Sequence, residues 1–220
     1  MNSTQIKLFL QNVLANLPSD WIKLTTHRLD IYDERLAKTQ FLSQFESLLQ
    51  SGQTDTIALS QLPTAYDYIR LGHPLSCVLE WAIAKINQLH ADQVISFSSK
   101  TAPILAVLRK NLFLKKNTQI LFKDDISGFF GAELVKQVYG YSFEMKEVEI
   151  GKRLPDFDGS RIFISQTSAF GHIEHGFNCD FVINTFGKLG SVIHVLDEKD
   201  AQYIPEIWLP PADFPCSMLS

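Results

Sequence analysis

Apolar residues near the start of the chain recur at steps of three and four. Ile6, Phe9, Leu10, Val13, Leu14 and Leu17 fall on one side of a helix that ends before Pro18. Phe41, Leu42, Phe45, Leu48 and Leu49 draw a second stripe over residues 35–50, and Gly52 stands just past it, where a left-handed cap is wanted. After Pro74, which suits a first helical turn, Leu75, Val78, Leu79, Ala82, Ile83 and Ile86 predict a third amphipathic helix. The period then changes. Residues 94–97 read as a strand, 102–112 as a helix, 119–122 as a strand, and 129–139 as a helix closed by Gly140. Four more strand candidates follow at 143–148, 161–165, 180–185 and 191–196.

Strands alternating with helices call for right-handed crossovers. The expected fold class is therefore α/β, a three-layer, mostly parallel sheet with flanking helices, preceded by a helical N-terminal section. The expected boundaries are a helical section over 1–65, a Rossmann-like core over 66–204 and an irregular strap over 205–220. Pro205, Pro210, Pro211 and Pro215 keep that strap from continuing a helix. A chain of 220 residues has one domain as its default.

Composition narrows the classes. With 45% hydrophobic and 20% charged residues the chain is ordinary globular material. The formal net charge is -4 and the Lys and Arg residues are dispersed, so no basic stripe exists to neutralise a run of phosphates and nucleic acid is not an expected partner. Apolar runs are short and broken by charge, and Met1-Asn2-Ser3-Thr4 has no basic segment leading into an apolar core. Neither secretion nor a membrane is expected. Cys77, Cys179 and Cys216 are three in number and far apart, without a Cys-x-x-Cys pair. A cytoplasmic, reducing location fits, with each cysteine read as small core packing.

Three segments invite chemistry. Residues 96–101, Ser-Phe-Ser-Ser-Lys-Thr, stand where a strand ends and a helix begins, so Ser98, Ser99, Lys100 and Thr101 are expected at the carboxyl edge of the sheet beside the free N–H groups of a helix start. A small phosphate-bearing ligand suits that turn, although the spacing is not that of a P-loop, and the same residues also read as a plain helix cap by Ser99 or Thr101. Lys188, between Gly187 and Gly190 directly after a strand, has two readings: an amine whose desolvation fits it for Schiff-base chemistry, or a solvated side chain in a hairpin. His172 and His175, beside Glu174, lack a visible third ligand and read as a polar surface, so no metal is expected. Asp124, Asp125, Asp156 and Asp158 read as loop or cap carboxylates.

Tyr68-Ile69-Arg70-Leu71-Gly72-His73-Pro74, followed by Leu79-Glu80 and Ile83-Ala84, resembles the opening segment of fold-type I pyridoxal-phosphate enzymes of the Cys/Met-metabolism and oxoamine-synthase branches. Phe97-Ser98-Ser99 with Ala102 and the segment 106–108 is similar to their phosphate turn, and Lys188 resembles their cofactor lysine. The resemblance covers residues 66–196. It implies that Tyr68 and Arg70 bind the phosphate of pyridoxal phosphate from a neighbouring subunit, that Ser98 and Ser99 hold it locally, and that Lys188 forms the internal aldimine in a homo-oligomer. The sequence departs from the pattern in several places. Lys100 replaces a Gly, Ser127 falls where a ring-stacking Tyr is expected, and the lysine signature is one residue short. The short interval between residues 165 and 180 leaves no strand to carry the Asp that pairs with the pyridine nitrogen, and no small domain is recognisable after Lys188. The expectation is an impaired or noncatalytic protein.

A second resemblance, to the sugar-phosphate-isomerase-like fold of the initiation-factor 2B family, rests on the Ser-rich turn between residues 94 and 108, the Gly-led helix start at 128–134, Ser168-Ala169-Phe170-Gly171 and residues 180–193. It implies a phosphate-sugar or nucleotide binding module. A third reading is a noncatalytic subunit that docks on a partner protein through an open sheet edge or the proline-containing tail.

Overall fold

A computed structural model of the chain describes residues 3–22, 34–63, 73–167, 173 and 177–197. The chain divides into two units, Met1–Ala91 and Asp92–Ser220. The first contains only helices among its described residues: α1 (Ser3–Ala15), α2 (Ser19–Ile22), α3 (Glu34–Ser51), α4 (Thr56–Ser60) and α5 (Pro74–Ile86). Its core is the expected stripes folded together, with Ile6, Phe9 and Val13 of α1 and Phe41, Leu42 and Phe45 of α3 packed with Cys77, Val78, Trp81 and Ala82 of α5. The apolar face of α5 is completed by α1 and α3 within the unit Met1–Ala91.

Two details of the stripes shift. Leu14 is 58% exposed, and α5 turns Trp81 inward while Leu79 is 37% exposed. A ring on the inner arc displaces the neighbouring leucine. Gly52 takes the left-handed cap at φ +69, with Gln53 N–H donating to Leu48 O at 3.0 Å. The short helices α2 and α4 escape periodicity altogether. The second starts on a side-chain cap, Asp55 Oδ1 accepting from Ala58 N–H at 3.0 Å.

The second unit holds β1 (Val94–Phe97), α6 (Ala102–Phe113), β2 (Thr118–Phe122), α7 (Ala132–Tyr139), β3 (Glu144–Glu147), β4 (Ser160–Gln166), β5 (Phe181–Phe186) and β6 (Gly190–Val195). The six strands form one sheet in the order β1-β6-β5-β4-β2-β3. β2, β3, β4 and β5 run parallel, while β6 is antiparallel to both of its neighbours, so β1 shares the direction of the parallel set. The α/β class is as expected, and the sheet is mixed with one reversed strand. The reversal has a local cause: only residues 187–189 join β5 to β6, and a connection that short can only make an antiparallel hairpin. α7 begins three residues later than the periodicity suggests, because Phe129 and Phe130 are used in the turn that precedes it.

Ile162, Ile164, Phe181, Ile183, Ile193 and Val195 face the apolar sides of α6 and α7. Both helices carry the chain toward the β3 edge. The connection from β3 back to β4 lies on the opposite face, where Arg161 pairs across from Gln119, stacks 5.6 Å from the Phe157 ring and donates to Pro155 O. Right-handed crossovers require this division, since going out and coming back must cover different faces. No described helix is long and apolar enough to cross a membrane.

Candidate functional site

The carboxyl ends of β1, β2, β4 and β5 meet the start of β6 along one edge of the sheet, and the described candidate residues of the second unit gather there. Register puts Phe97 of β1 opposite Ser191 of β6, and Thr185 of β5 opposite Ser191 on the other side. Ser191 Oγ donates to Ser99 O at 2.6 Å, tying the turn at 98–101 to the hairpin that carries Lys188. Gly190 makes this approach possible: at φ +103 it lies so close to Phe97 O and the Ser98 backbone that no Cβ fits.

The helix start differs from the open cradle expected. Ser99 Oγ accepts from the backbone N–H of Thr101 at 3.2 Å and of Ala102 at 3.1 Å, and Pro103 carries no N–H. Ser99, not Thr101, therefore supplies the cap, while the Thr101 hydroxyl donates to Phe129 O at 2.7 Å. Lys100 Nζ sits 5.3 Å from the Phe129 ring centroid. Lys188 is exposed at the tip of a tight turn closed by Leu189 N–H donating to Phe186 O at 2.7 Å. Tyr68 and Arg70 of the resemblance, and the pair His172 and His175, lie outside the described residues.

Strand register adds side chains that sequence reasoning missed. Thr185, 1% exposed, alternates with Ile183 and so faces the α6 side next to Ser191. Its hydroxyl has no hydrogen-bond partner among the described residues. The Ser165 hydroxyl, on the other face, is equally buried and also lacks one. No local sequence signal marks either residue, because each is an ordinary strand position until its neighbours are known.

The chain's connections part between β2 and β4, the switch point where open α/β sheets leave a crevice. Here it is bridged internally. Asp124 Oδ2 accepts from Gln166 N–H at 3.1 Å, and the Gln166 side chain donates to Asp125 O at 2.7 Å. Asp125 in turn accepts from the Ser127 backbone N–H at 2.8 Å and its hydroxyl at 3.0 Å, bonds that hold its carboxyl below the ordinary range. Both acids serve the loop, as their sequence context implied. Asp180 lies at the opposite edge, accepting from Arg161 N–H at 2.7 Å. Beside it, burial first and the Asp180 charge second push the Cys179 thiol up to about 12, which leaves it a poor nucleophile at neutral pH.

No protein-family model matches this chain, and no curated protein matches it. Among solved structures, the crystal structure of metB from Corynebacterium glutamicum is similar, with a TM-score of 0.39 and 16% identity over 67% of this chain and 49% of that one. The chain thus spans about half the length of that protein.

Proposed function

We propose that this chain is a pyridoxal-phosphate-enzyme-like protein that binds a small phosphate ester at the carboxyl edge of its sheet and does not turn it over. One observation carries the reading: the turn at 98–101 and the hairpin of Lys188, distant in sequence, are joined through Ser191 and Ser99. The phosphate end of pyridoxal phosphate suits this edge, where the Ser98 hydroxyl and the Lys100 ammonium are the donors on offer. The ring end does not fit. Among the described residues, β4 and β5 end in Ser165, Gln166, Asn184, Thr185 and Phe186, and the nearby Asp124 carboxylate is taken up by the Gln166 N–H, which leaves the pyridine nitrogen without a dedicated acid from these strands. Without it the ring is a weak electron sink, which supports binding without catalysis.

The exposed position of Lys188 favours a second reading, a module for phosphate sugars or nucleotides of the initiation-factor 2B type, because a solvated amine gains little from Schiff-base chemistry. Titration calorimetry with pyridoxal phosphate, then with sugar phosphates and nucleotides, separates the two. Replacing Ser98 and Lys100 together by Ala is expected to weaken phosphate-ester binding about tenfold or more. Borohydride reduction followed by mass spectrometry should place a pyridoxyl group on Lys188 in preference to Lys115. Heat with no phosphate ester of the panel overturns the proposal and leaves the turn as a helix cap.

A further inference from the structure

The peptide between Ser99 and Lys100 is held from outside its own turn. Ser191 Oγ, on a residue 3% exposed at the start of β6, donates to Ser99 O at 2.6 Å. Gly190, one residue earlier, backs the same turn so closely that a Cβ there would meet Phe97 O and the Ser98 backbone. A trans peptide sets its C=O and N–H in opposite directions, so a Ser99 carbonyl drawn to Ser191 turns the Lys100 N–H to the far side of the turn. That N–H makes no hydrogen bond among the described residues, and neither do those of Ser98 and Ser99. The start of α6 is different. The N–H groups of Thr101 and Ala102 are taken by Ser99 Oγ, and Pro103 has none. The backbone donors left for an anion therefore lie in the turn and not in the first turn of the helix.

We infer that Ser191 is a positioning residue: it presents the Lys100 backbone N–H to a phosphate, which this turn binds in place of the N-terminus of α6. The inference rests on the phosphate-ester reading given above and specifies how that site works. Of the three unbonded N–H groups, the one on Lys100 is the one whose direction a second element fixes. Ser98 and Ser99 are exposed, and an exposed turn without an anchor loses conformational freedom when it grips a ligand. Ser191 removes part of that cost in advance, because its own strand position is buried between β1 and β5. The Ser98 hydroxyl and the Lys100 ammonium complete a set of donors suited to the terminal oxygens of a phosphate monoester. Such a set reads the phosphate and not the rest of the ester, so inorganic phosphate is a sufficient probe.

The test is titration of the isotope-labelled full chain with inorganic phosphate and with pyridoxal phosphate, followed as heat and at the backbone amides by NMR. The Lys100 amide proton is expected to move downfield most, and the capped amides of Thr101 and Ala102 least. Ser191→Ala should weaken binding of both ligands about fivefold, and Ser191→Thr, which keeps the hydroxyl, should restore it. Gly52→Ala, which destabilises the other unit, should bind like wild type, so that lowered stability alone is not mistaken for lost positioning. Binding with an unmoved Lys100 amide, or with the largest shifts at Thr101 and Ala102, overturns the inference and leaves the phosphate-ester reading standing. Ser191→Ala that binds like wild type does the same. If that variant does not fold, the wild-type amide shifts decide alone. Neither heat nor a shift with either ligand removes both the inference and the reading beneath it.

Discussion

The two units are stabilised in different ways. In the helical unit the energy is concentrated in rings: Phe45 lies 5.3 Å from Phe9, 6.0 Å from Phe41 and 5.2 Å from Trp81, centroid to centroid. Phe45 belongs to α3 and meets rings on two other helices, α1 and α5. In the α/β unit the interior is a lattice of Ile, Val and Phe, and its distinctive contacts are made by backbone, as where β6 starts against the end of β1. A cluster of rings tolerates adjustment of the chain around it. A close backbone approach does not, and the unit that depends on one is the unit that gathers polar groups at a sheet edge.

Three changes sharpen or break this contrast. The largest effect is expected for Phe45→Ala, which empties the centre of the ring cluster and should cost about 3–5 kcal/mol in thermal or denaturant unfolding. A loss below about 1 kcal/mol would show that the cluster is not the centre of the helical unit. Next comes Gly190→Ala, where the new Cβ meets Phe97 O and the conformation is one that only Gly takes easily. It should cost about 1–3 kcal/mol and loosen the β1–β6 pairing, visible as faster amide exchange at Phe97 and Ser191. Gly52→Ala, at a positive φ with open space around it, should cost only about 1 kcal/mol. Equal losses at the two glycines would remove the distinction drawn from backbone contact.

The smallest effect concerns acid. Burial alone would raise the Glu46 pKa, but hydrogen bonds from Lys85 Nζ at 2.7 Å and Trp81 Nε1 at 2.7 Å, with the lysine charge, bring it below the ordinary value of 4.5. A lowered folded-state pKa means stability present above pH 4.5 and lost as pH falls through the folded value. Melting temperatures followed downward from about pH 6 should therefore fall less steeply in Glu46→Gln than in wild type. Identical acid limbs would show that the ion pair, which is more than a third exposed on both sides, contributes nothing measurable.

The amino-acid sequence by itself determined the elements. The stripes of α1, α3 and α5, the strand β1 and the left-handed caps at Gly52 and Gly140 follow from periodicity and glycine chemistry within a few neighbouring residues. It also placed the turn at 98–101 at a strand end and Lys188 in a turn between strands. Tertiary structure alone decided how these meet. That β6 inserts between β1 and β5, that Ser191 reaches Ser99 and that Thr185 holds a buried hydroxyl without a partner among the described residues all depend on which strands pair and in which register. Periodicity reports which face of an element is apolar, because that is set by side chains a few positions apart. Pairing across the sheet is set by loop lengths, crossover hand and packing between residues tens of positions apart, and no local pattern encodes it.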